Sequence, residues 1–126
     1  MLSKLFDLTG KVALVTGGSK GLGRAMARGL AEAGADVFIS SRNEEQLRTA
    51  LDGILAGTGR RGGYAVADMS NRADVRRLAE KALQLMGKVD ILVNNAGTNA
   101  PEAIDAISDE TWDRVMETNL HSVMVL

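Results

Sequence analysis

A short apolar run ends in a glycine-rich turn at residues 12–23, and no other part of the sequence limits the possible folds as strongly. Residues 12–15 are all apolar, which predicts a buried strand. The turn leads into residues 22–33, where small and apolar side chains recur at helical spacing. A strand, a glycine turn and a helix in this order favour phosphate binding, because the free N–H groups of a helix N-terminus attract an anion.

The same alternation of strand and helix continues along the chain. Further strands are predicted at residues 36–40, 64–67 and 89–93, and further helices begin after caps at residues 41–43, after Ser70 or Asn71, and after Ser108. Residues 98–107 are predicted to form a loop. Short apolar strands that alternate with helices predict an α/β fold, in which a parallel sheet is covered on both faces.

The composition is that of one globular domain spanning residues 1–126, with 45% hydrophobic and 25% charged residues. The formal net charge is −1, which argues against nucleic acid or an anionic membrane as a partner. There is no cysteine and only one histidine, His121, so no metal site is predicted and His121 is interpreted as a surface residue. The N-terminus has no secretory core and no apolar run is long enough to span a membrane, which predicts a cytoplasmic protein.

The glycines of the turn fall at positions with different tasks. Gly17 allows a sharp turn off the strand, Gly21 allows the backbone to approach a pyrophosphate, and Gly23 allows the helix to lie close to the sheet. The turn is not a Walker loop, because no Gly-Lys-[Ser/Thr] follows at the required distance. An ordinary strand-to-helix turn can contain the same glycines, so this motif alone leaves a phosphate site and an ordinary turn both open.

The end of the second strand has the sequence Ser40-Ser41-Arg42, without an acidic residue. An acid at this place binds the adenosine ribose 2′-OH of NAD, whereas an arginine suits the 2′-phosphate of NADP. Lys20, in the glycine turn, is a second cation that could reach the same phosphate. Either residue alone could be a solvated surface charge, but the two together favour NADP(H) over NAD(H).

Polar residues also follow the third and fourth strands. Asp68 is either an acceptor for the adenine amino group or a cap for the following helix. The amides of Asn94 and Asn95 either join neighbouring strand ends and contact a ribose, or belong to a plain turn.

Asn119 is the polar exception in the predicted last helix. It falls on an apolar stripe, and a buried amide without hydrogen bonds would destabilise the packing by ~1–3 kcal/mol. Asn119 is therefore interpreted as a structural link or as part of a site. The stripe comprises Trp112, Val115, Met116, Leu120 and Val123.

Taken in order and at these spacings, the motifs resemble the short-chain dehydrogenase/reductase family over nearly the whole chain. The resemblance implies a Rossmann-type parallel sheet in the order 3-2-1-4, and hydride transfer between NADP(H) and a small-molecule alcohol or carbonyl. It implies that Asn119 is the active-site asparagine, which supports a proton-relay water. It also implies cofactor-binding roles for Gly17, Ser19, Lys20, Gly21, Leu22, Gly23, Arg42, Asp68, Met69, Asn95 and Gly97.

The sequence departs from the family at the acid/base pair Tyr-x-x-x-Lys. Its only tyrosine is Tyr64, and the residue four positions later is Asp68 rather than lysine. The chain therefore resembles the N-terminal, cofactor-binding half of such an enzyme, and we expect it to bind NADPH without turnover. The full-length form is expected to be a homo-oligomer, a dimer or tetramer. A non-catalytic dinucleotide-binding module and an inactive fragment are the alternatives.

Overall fold

A computed structural model describes residues 2–97 and 106–126 of the chain. The strands are β1 (Val12–Thr16), β2 (Asp36–Ser41), β3 (Gly62–Val66) and β4 (Ile91–Val93). The helices are α1 (Leu2–Leu5), α2 (Gly21–Glu32), α3 (Glu44–Leu55), α4 (Arg72–Met86), α5 (Asp109–Met116) and α6 (Ser122–Val125), with a π-helical turn (Glu117–His121) between the last two. Within these described ranges, no helix has both the length and the apolar character needed to cross a membrane.

The four strands form one parallel sheet in the order β3-β2-β1-β4, as predicted. Val15 of β1 lies opposite Ile39 of β2 on one side and Val93 of β4 on the other. Parallel strands require helical crossovers that cover the sheet, and β1 is accordingly buried along its whole length. The carboxyl ends of all four strands meet at one edge of the sheet.

Alternate residues of the central strands pack on opposite faces of the sheet. On one face, Leu14 and Phe38 pack against α4 through Val75, Leu78 and Ala82. On the other face, the strands pack against α2 and α3 in a cluster of Val15, Val37, Ile39, Ala27, Ala31, Leu47, Ala50 and Ile54. The alternation has a period of two residues, because successive side chains of a strand point to opposite faces.

Three helices begin at the predicted caps. The side chains of Asn43, Asn71 and Ser108 each accept a hydrogen bond from the N–H three residues further along the chain. Gly87 ends α4 in the left-handed conformation, with φ of 84°. These local signals set the helix boundaries close to the predicted positions.

Other boundaries differ from the prediction. The third strand begins at Gly62 rather than Tyr64, because the backbone of Gly62 and Gly63 pairs with β2 although neither residue has a side chain typical of a strand. The fourth strand begins at Ile91 rather than at residue 89. Helix α1 was not predicted, and residues 98–105 of the predicted 98–107 loop lie outside the described residues.

The predicted apolar stripe of the last helix is not the face that packs on the protein. Trp112 is 57% exposed and Leu120 is 48% exposed, whereas Thr118 and Ser122 are buried. The Ser122 hydroxyl donates a hydrogen bond to the Thr118 carbonyl at 2.5 Å, so this buried hydroxyl is satisfied within its own helical turn. The π-helical turn changes the residue spacing in the middle of the helix, which an α-helical pattern does not anticipate.

Candidate cofactor-binding site

A cavity of about 310 Å³ lies at the carboxyl edge of the sheet. This volume is at the lower end of the range of small-molecule sites. Its wall is built from the loops that follow all four strands and from the helical segment of residues 109–121. The lining residues are Gly17, Ser19, Lys20, Ser40, Ser41, Arg42, Ala67, Asp68, Met69, Ser70, Asn95, Ala96, Gly97, Arg114 and Thr118.

The glycine turn after β1 favours glycine at four positions: Gly17 and Gly21 have positive φ, and a Cβ on Gly18 or Gly23 would lie under 3.0 Å from a neighbouring atom. Gly17 has φ of +66°, in the left-handed region that strains other residues. A Cβ on Gly23 would lie 2.2 Å from the Gly17 carbonyl oxygen and 2.3 Å from Asn95 Nδ2. The sharp turn at Gly17 and the close packing at Gly23 both agree with the tasks predicted for them.

The N-terminus of α2 differs from those of α3 and α4. Its N-cap residue, Lys20, forms no side-chain hydrogen bond with the helix, whereas Asn43 and Asn71 cap the other two helices. The first N–H groups of an α-helix have no partner within the helix. An N-terminus without a side-chain cap that lies beside a cavity can therefore bind the phosphate of a ligand.

Thr16 and Asn95 join the glycine turn to the end of β4. The buried Thr16 hydroxyl accepts hydrogen bonds from the N–H groups of Asn95 at 3.1 Å and Ala96 at 3.0 Å. The Asn95 side-chain amide donates to the Gly17 carbonyl at 3.1 Å. The predicted joining of strand ends is thus made by Asn95, whereas Asn94 is exposed. The Thr16 hydroxyl, for which no role was predicted, is central to this arrangement.

Asp68 borders the cavity as a carboxylate. Its Oδ1 accepts hydrogen bonds from the Ser70 hydroxyl at 2.6 Å and the Ser70 N–H at 2.9 Å. These hydrogen bonds hold the pKa of Asp68 below its usual range, and the positive charges of Arg42 and Arg114 lower it further. The alternative role as the cap of α4 is wrong, because Asn71 occupies that position.

The charged side chains that line the cavity are mainly positive. Lys20 and Arg42 both line it, which brings the two predicted cations to the same space. Arg114 of α5 is a third cation, and it was not predicted from the sequence. Among the described residues that line the cavity, Asp68 is the one anion. This wall would complement an anionic ligand that also donates a hydrogen bond to Asp68.

Not every predicted site residue lies in the cavity wall. Gly21, Leu22 and Gly23 are not among the lining residues, and the Leu22 side chain is 71% exposed. Asn119 lies on the π-helical turn and is exposed, so the expectation of a buried amide is wrong. Its Oδ1 nevertheless lies 3.5 Å from the place of a Cβ on Gly97, so Asn119 borders the wall.

The lining residues that the sequence analysis missed fall into two groups. The first group lies within two residues of predicted site residues at the strand ends, and this proximity is the signal that could have found them: Ser40, Ser41, Ala67, Ser70 and Ala96. Arg114 and Thr118 lie on the last helix, and only the packing of that helix against the sheet edge brings them to the cavity.

His121 belongs to a surface network of charges. Its Nδ1 lies 2.8 Å from Glu117 Oε2, and Arg72 Nε donates to Glu117 Oε1 at 2.7 Å. The bonds to Arg72 and His121 hold the pKa of Glu117 below its usual range. Among the residues described by the structure, no group of three His, Cys, Asp or Glu could bind a metal ion.

A comparison with protein families matches residues 11–126 to the family described as short chain dehydrogenase. The chain is 42% identical over 123 residues to the rhamnolipids biosynthesis 3-oxoacyl-[acyl-carrier-protein] reductase of Pseudomonas aeruginosa, with 94% of this chain and 45% of the relative covered. It is 44% identical over 126 residues to the 2-dehydro-3-deoxy-D-gluconate 5-dehydrogenase of Dickeya dadantii, with 100% of this chain and 49% of the relative covered.

Solved structures include similar folds with a bound cofactor. The L-sorbose reductase of Gluconobacter frateurii, complexed with NADPH and L-sorbose, superposes with a TM-score of 0.92 at 33% identity, over 96% of this chain and 46% of that one. The RhlG/NADP complex of Pseudomonas aeruginosa has a TM-score of 0.85 at 42% identity, over 95% of this chain and 46% of that one. The chain thus spans about half the length of the relatives that it matches.

Proposed function

Because this chain belongs to the short-chain dehydrogenase family, we propose that it is the NADP(H)-binding part of an oxidoreductase that interconverts an alcohol and a carbonyl compound. The observation that carries the proposal is the cavity at the carboxyl edge of the sheet, where the glycine turn, Lys20 and Arg42 face one space. Ligands of open α/β sheets bind at this edge. The same three features supply a helix N-terminus and two cations for the phosphate groups of a dinucleotide.

The described residues fit this cofactor. Gly17 and Ser19 lie where the uncapped N-terminus of α2 meets the cavity, which suits the pyrophosphate. The Asp68 carboxylate suits the adenine amino group, because it is an acceptor with a lowered pKa. Met69, Asn95 and Gly97 complete the wall around the nucleosides. Gly21, Leu22 and Gly23 then act through the shape of the turn and the start of α2.

The preference for NADP(H) over NAD(H) rests on Lys20 and Arg42. A guanidinium group donates two parallel hydrogen bonds to phosphate, and hydrogen bonds to charged groups contribute ~1.5–3 kcal/mol. The residues at the end of β2, Ser40-Ser41-Arg42-Asn43, include no acid to bind a ribose 2′-OH. Glu44 and Glu45 come next, in the first turn of α3, and neither lines the cavity.

The test of this preference is the substitution Arg42→Asp in the 126-residue chain, with binding measured by isothermal titration calorimetry. We expect the Kd for NADPH to rise about 10- to 100-fold and that for NADH to change about 3-fold or less. Arg76→Asp, an exposed position of α4 outside the cavity, removes the same charge and is the matched control. If Arg42→Asp weakens the binding of NADPH and NADH equally, Arg42 does not bind the 2′-phosphate.

Bound NADP(H) would supply or accept the hydride, and the chain's own residues would hold it. We propose that Asn119, which borders the wall beside Gly97, serves the active site by holding a water. The chain contains no Tyr-x-x-x-Lys, so it has no such pair to move a proton at the substrate oxygen. We therefore expect binding without turnover, and measurable carbonyl reduction by the purified 126-residue chain would contradict this. The longer protein is expected to act on a small molecule as a homo-oligomer.

A further inference from the structure

One buried hydroxyl at the cavity has no partner in the described parts of the protein. Ser40 is 0% exposed, it lines the cavity, and its Oγ forms no hydrogen bond with any described group. The backbone of the same residue is fixed, because its carbonyl accepts a hydrogen bond from the Gly18 N–H at 3.1 Å. A buried hydroxyl without a partner destabilises a protein, so native structures seldom retain one without a reason.

The position of Ser40 in the sheet indicates which part of a ligand it would meet. Ser40 lies opposite Thr16 of β1 on one side and Ala65 of β3 on the other. Thr16 leads into the glycine turn, and Ala65 leads towards Asp68. Ser40 therefore lies in the sheet between the strand that leads to the part of the wall suited to phosphates and the strand that leads to the part suited to adenine.

We propose that Ser40 is a ligand-recognition residue, whose hydroxyl forms a hydrogen bond with the adenosine part of the bound dinucleotide. The inference rests on the proposed function, since it assumes a nucleotide in this cavity. A hydroxyl can donate and accept, so adenine nitrogens and ribose oxygens are both suitable partners. The ligand, rather than the protein, then satisfies the Ser40 side chain.

This role predicts opposite effects on stability and on binding. Replacing Ser40 by alanine removes an unsatisfied group, so the ligand-free protein should keep or raise its melting temperature. The same change removes a hydrogen bond from the complex, so affinity should fall. A serine that is bonded within the protein would lose stability instead, as expected for Ser122, whose hydroxyl is bonded to the Thr118 carbonyl.

The experiment compares S40A, S122A and the unsubstituted 126-residue chain. Thermal unfolding is followed by circular dichroism without ligand, and binding of NADPH, ADP-ribose and nicotinamide mononucleotide is measured by calorimetry. We expect S40A to bind NADPH and ADP-ribose about 3- to 10-fold more weakly, with nicotinamide mononucleotide unchanged and the melting temperature kept or raised. S122A should melt at a lower temperature.

Several results would overturn the inference. If S40A loses stability as S122A does, the Ser40 hydroxyl is bonded within the protein. If S40A binds ADP-ribose as tightly as the unsubstituted chain, the hydroxyl does not touch adenosine. These two results leave the proposed function intact, whereas failure of the unsubstituted chain to bind NADPH, NADH or ADP-ribose overturns both.

Discussion

Substituting alanine at Gly23 tests how closely α2 must approach the sheet at the candidate site. The added Cβ would lie 2.2 Å from the Gly17 carbonyl oxygen and 2.3 Å from Asn95 Nδ2. Those two atoms are themselves hydrogen-bonded at 3.1 Å. A methyl group at Gly23 therefore has to displace both partners of this bond.

The expected loss of stability follows from three effects. Overpacking of a close contact costs ~1–3 kcal/mol. Loss of the Asn95–Gly17 hydrogen bond costs a further ~0.5–1.5 kcal/mol. Alanine in place of glycine inside a helix offsets about 1 kcal/mol of this. We therefore expect Gly23→Ala to lower the free energy of unfolding by about 1–3 kcal/mol.

Gly29 provides a matched control in the same helix. It is exposed, and a Cβ built on it would meet no atom within 4 Å. Gly29→Ala should therefore raise the free energy of unfolding by about 0.5–1 kcal/mol, through helix propensity alone. Both variants are measured by urea unfolding, followed by far-ultraviolet circular dichroism. The reasoning is refuted if the two substitutions change the stability in the same direction by similar amounts.

Two further predictions concern charge. Arg114→Gln should raise the Kd for NADPH about 2- to 10-fold, because it removes a cation from the cavity wall near Asp68. Arg76→Gln, at an exposed position outside the cavity, is the control. Equal Kd values for the two variants, measured by calorimetry, would contradict a role for Arg114. Asp90 accepts hydrogen bonds from the Val12 N–H and the Lys88 ammonium, which hold its pKa below the usual 3.8. The stability that the Asp90 carboxylate contributes is complete above pH 3.8, and it is lost as the pH falls through the lower pKa of the folded state. The free energy of unfolding, measured by urea titration, should therefore fall less between neutral and acid pH in Asp90→Asn than in the unsubstituted chain. An unchanged pH dependence in that variant would contradict the assignment.

Local signals were sufficient to predict most of the fold. The apolar runs that became β1 and β2 are short, continuous and flanked by glycine or polar residues, which is typical of strands that are covered on both faces. Asn71 and Gly87, at the two ends of α4, act through contacts within a few residues. Elements defined by such short-range contacts are predictable from a single sequence, because the pattern and the structure involve the same residues.

Other features depend on contacts between distant residues and could not be predicted. Gly62 and Gly63 are typical of a loop, yet they pair with β2 because the neighbouring strand supplies the hydrogen bonds. Trp112 is exposed although the apolar stripe predicted its burial, and no residue pattern indicated the π-helical turn that follows α5. Arg114 reaches the cavity only because its helix packs beside the sheet edge.

The glycine turn itself combines both kinds of information. Its glycine residues predict a turn, but a hydrogen bond from Asn95, 78 residues away in the sequence, holds the Gly17 carbonyl in place. The Thr16 hydroxyl, just before the turn, holds the N–H groups of the same distant segment. The turn is thus completed only when β4 has paired with β1, since the partners of Thr16 and Gly17 follow β4. A glycine motif taken alone leaves both an ordinary turn and a phosphate site open, because bonds that fix the turn come from the segment after β4, which is distant in the sequence.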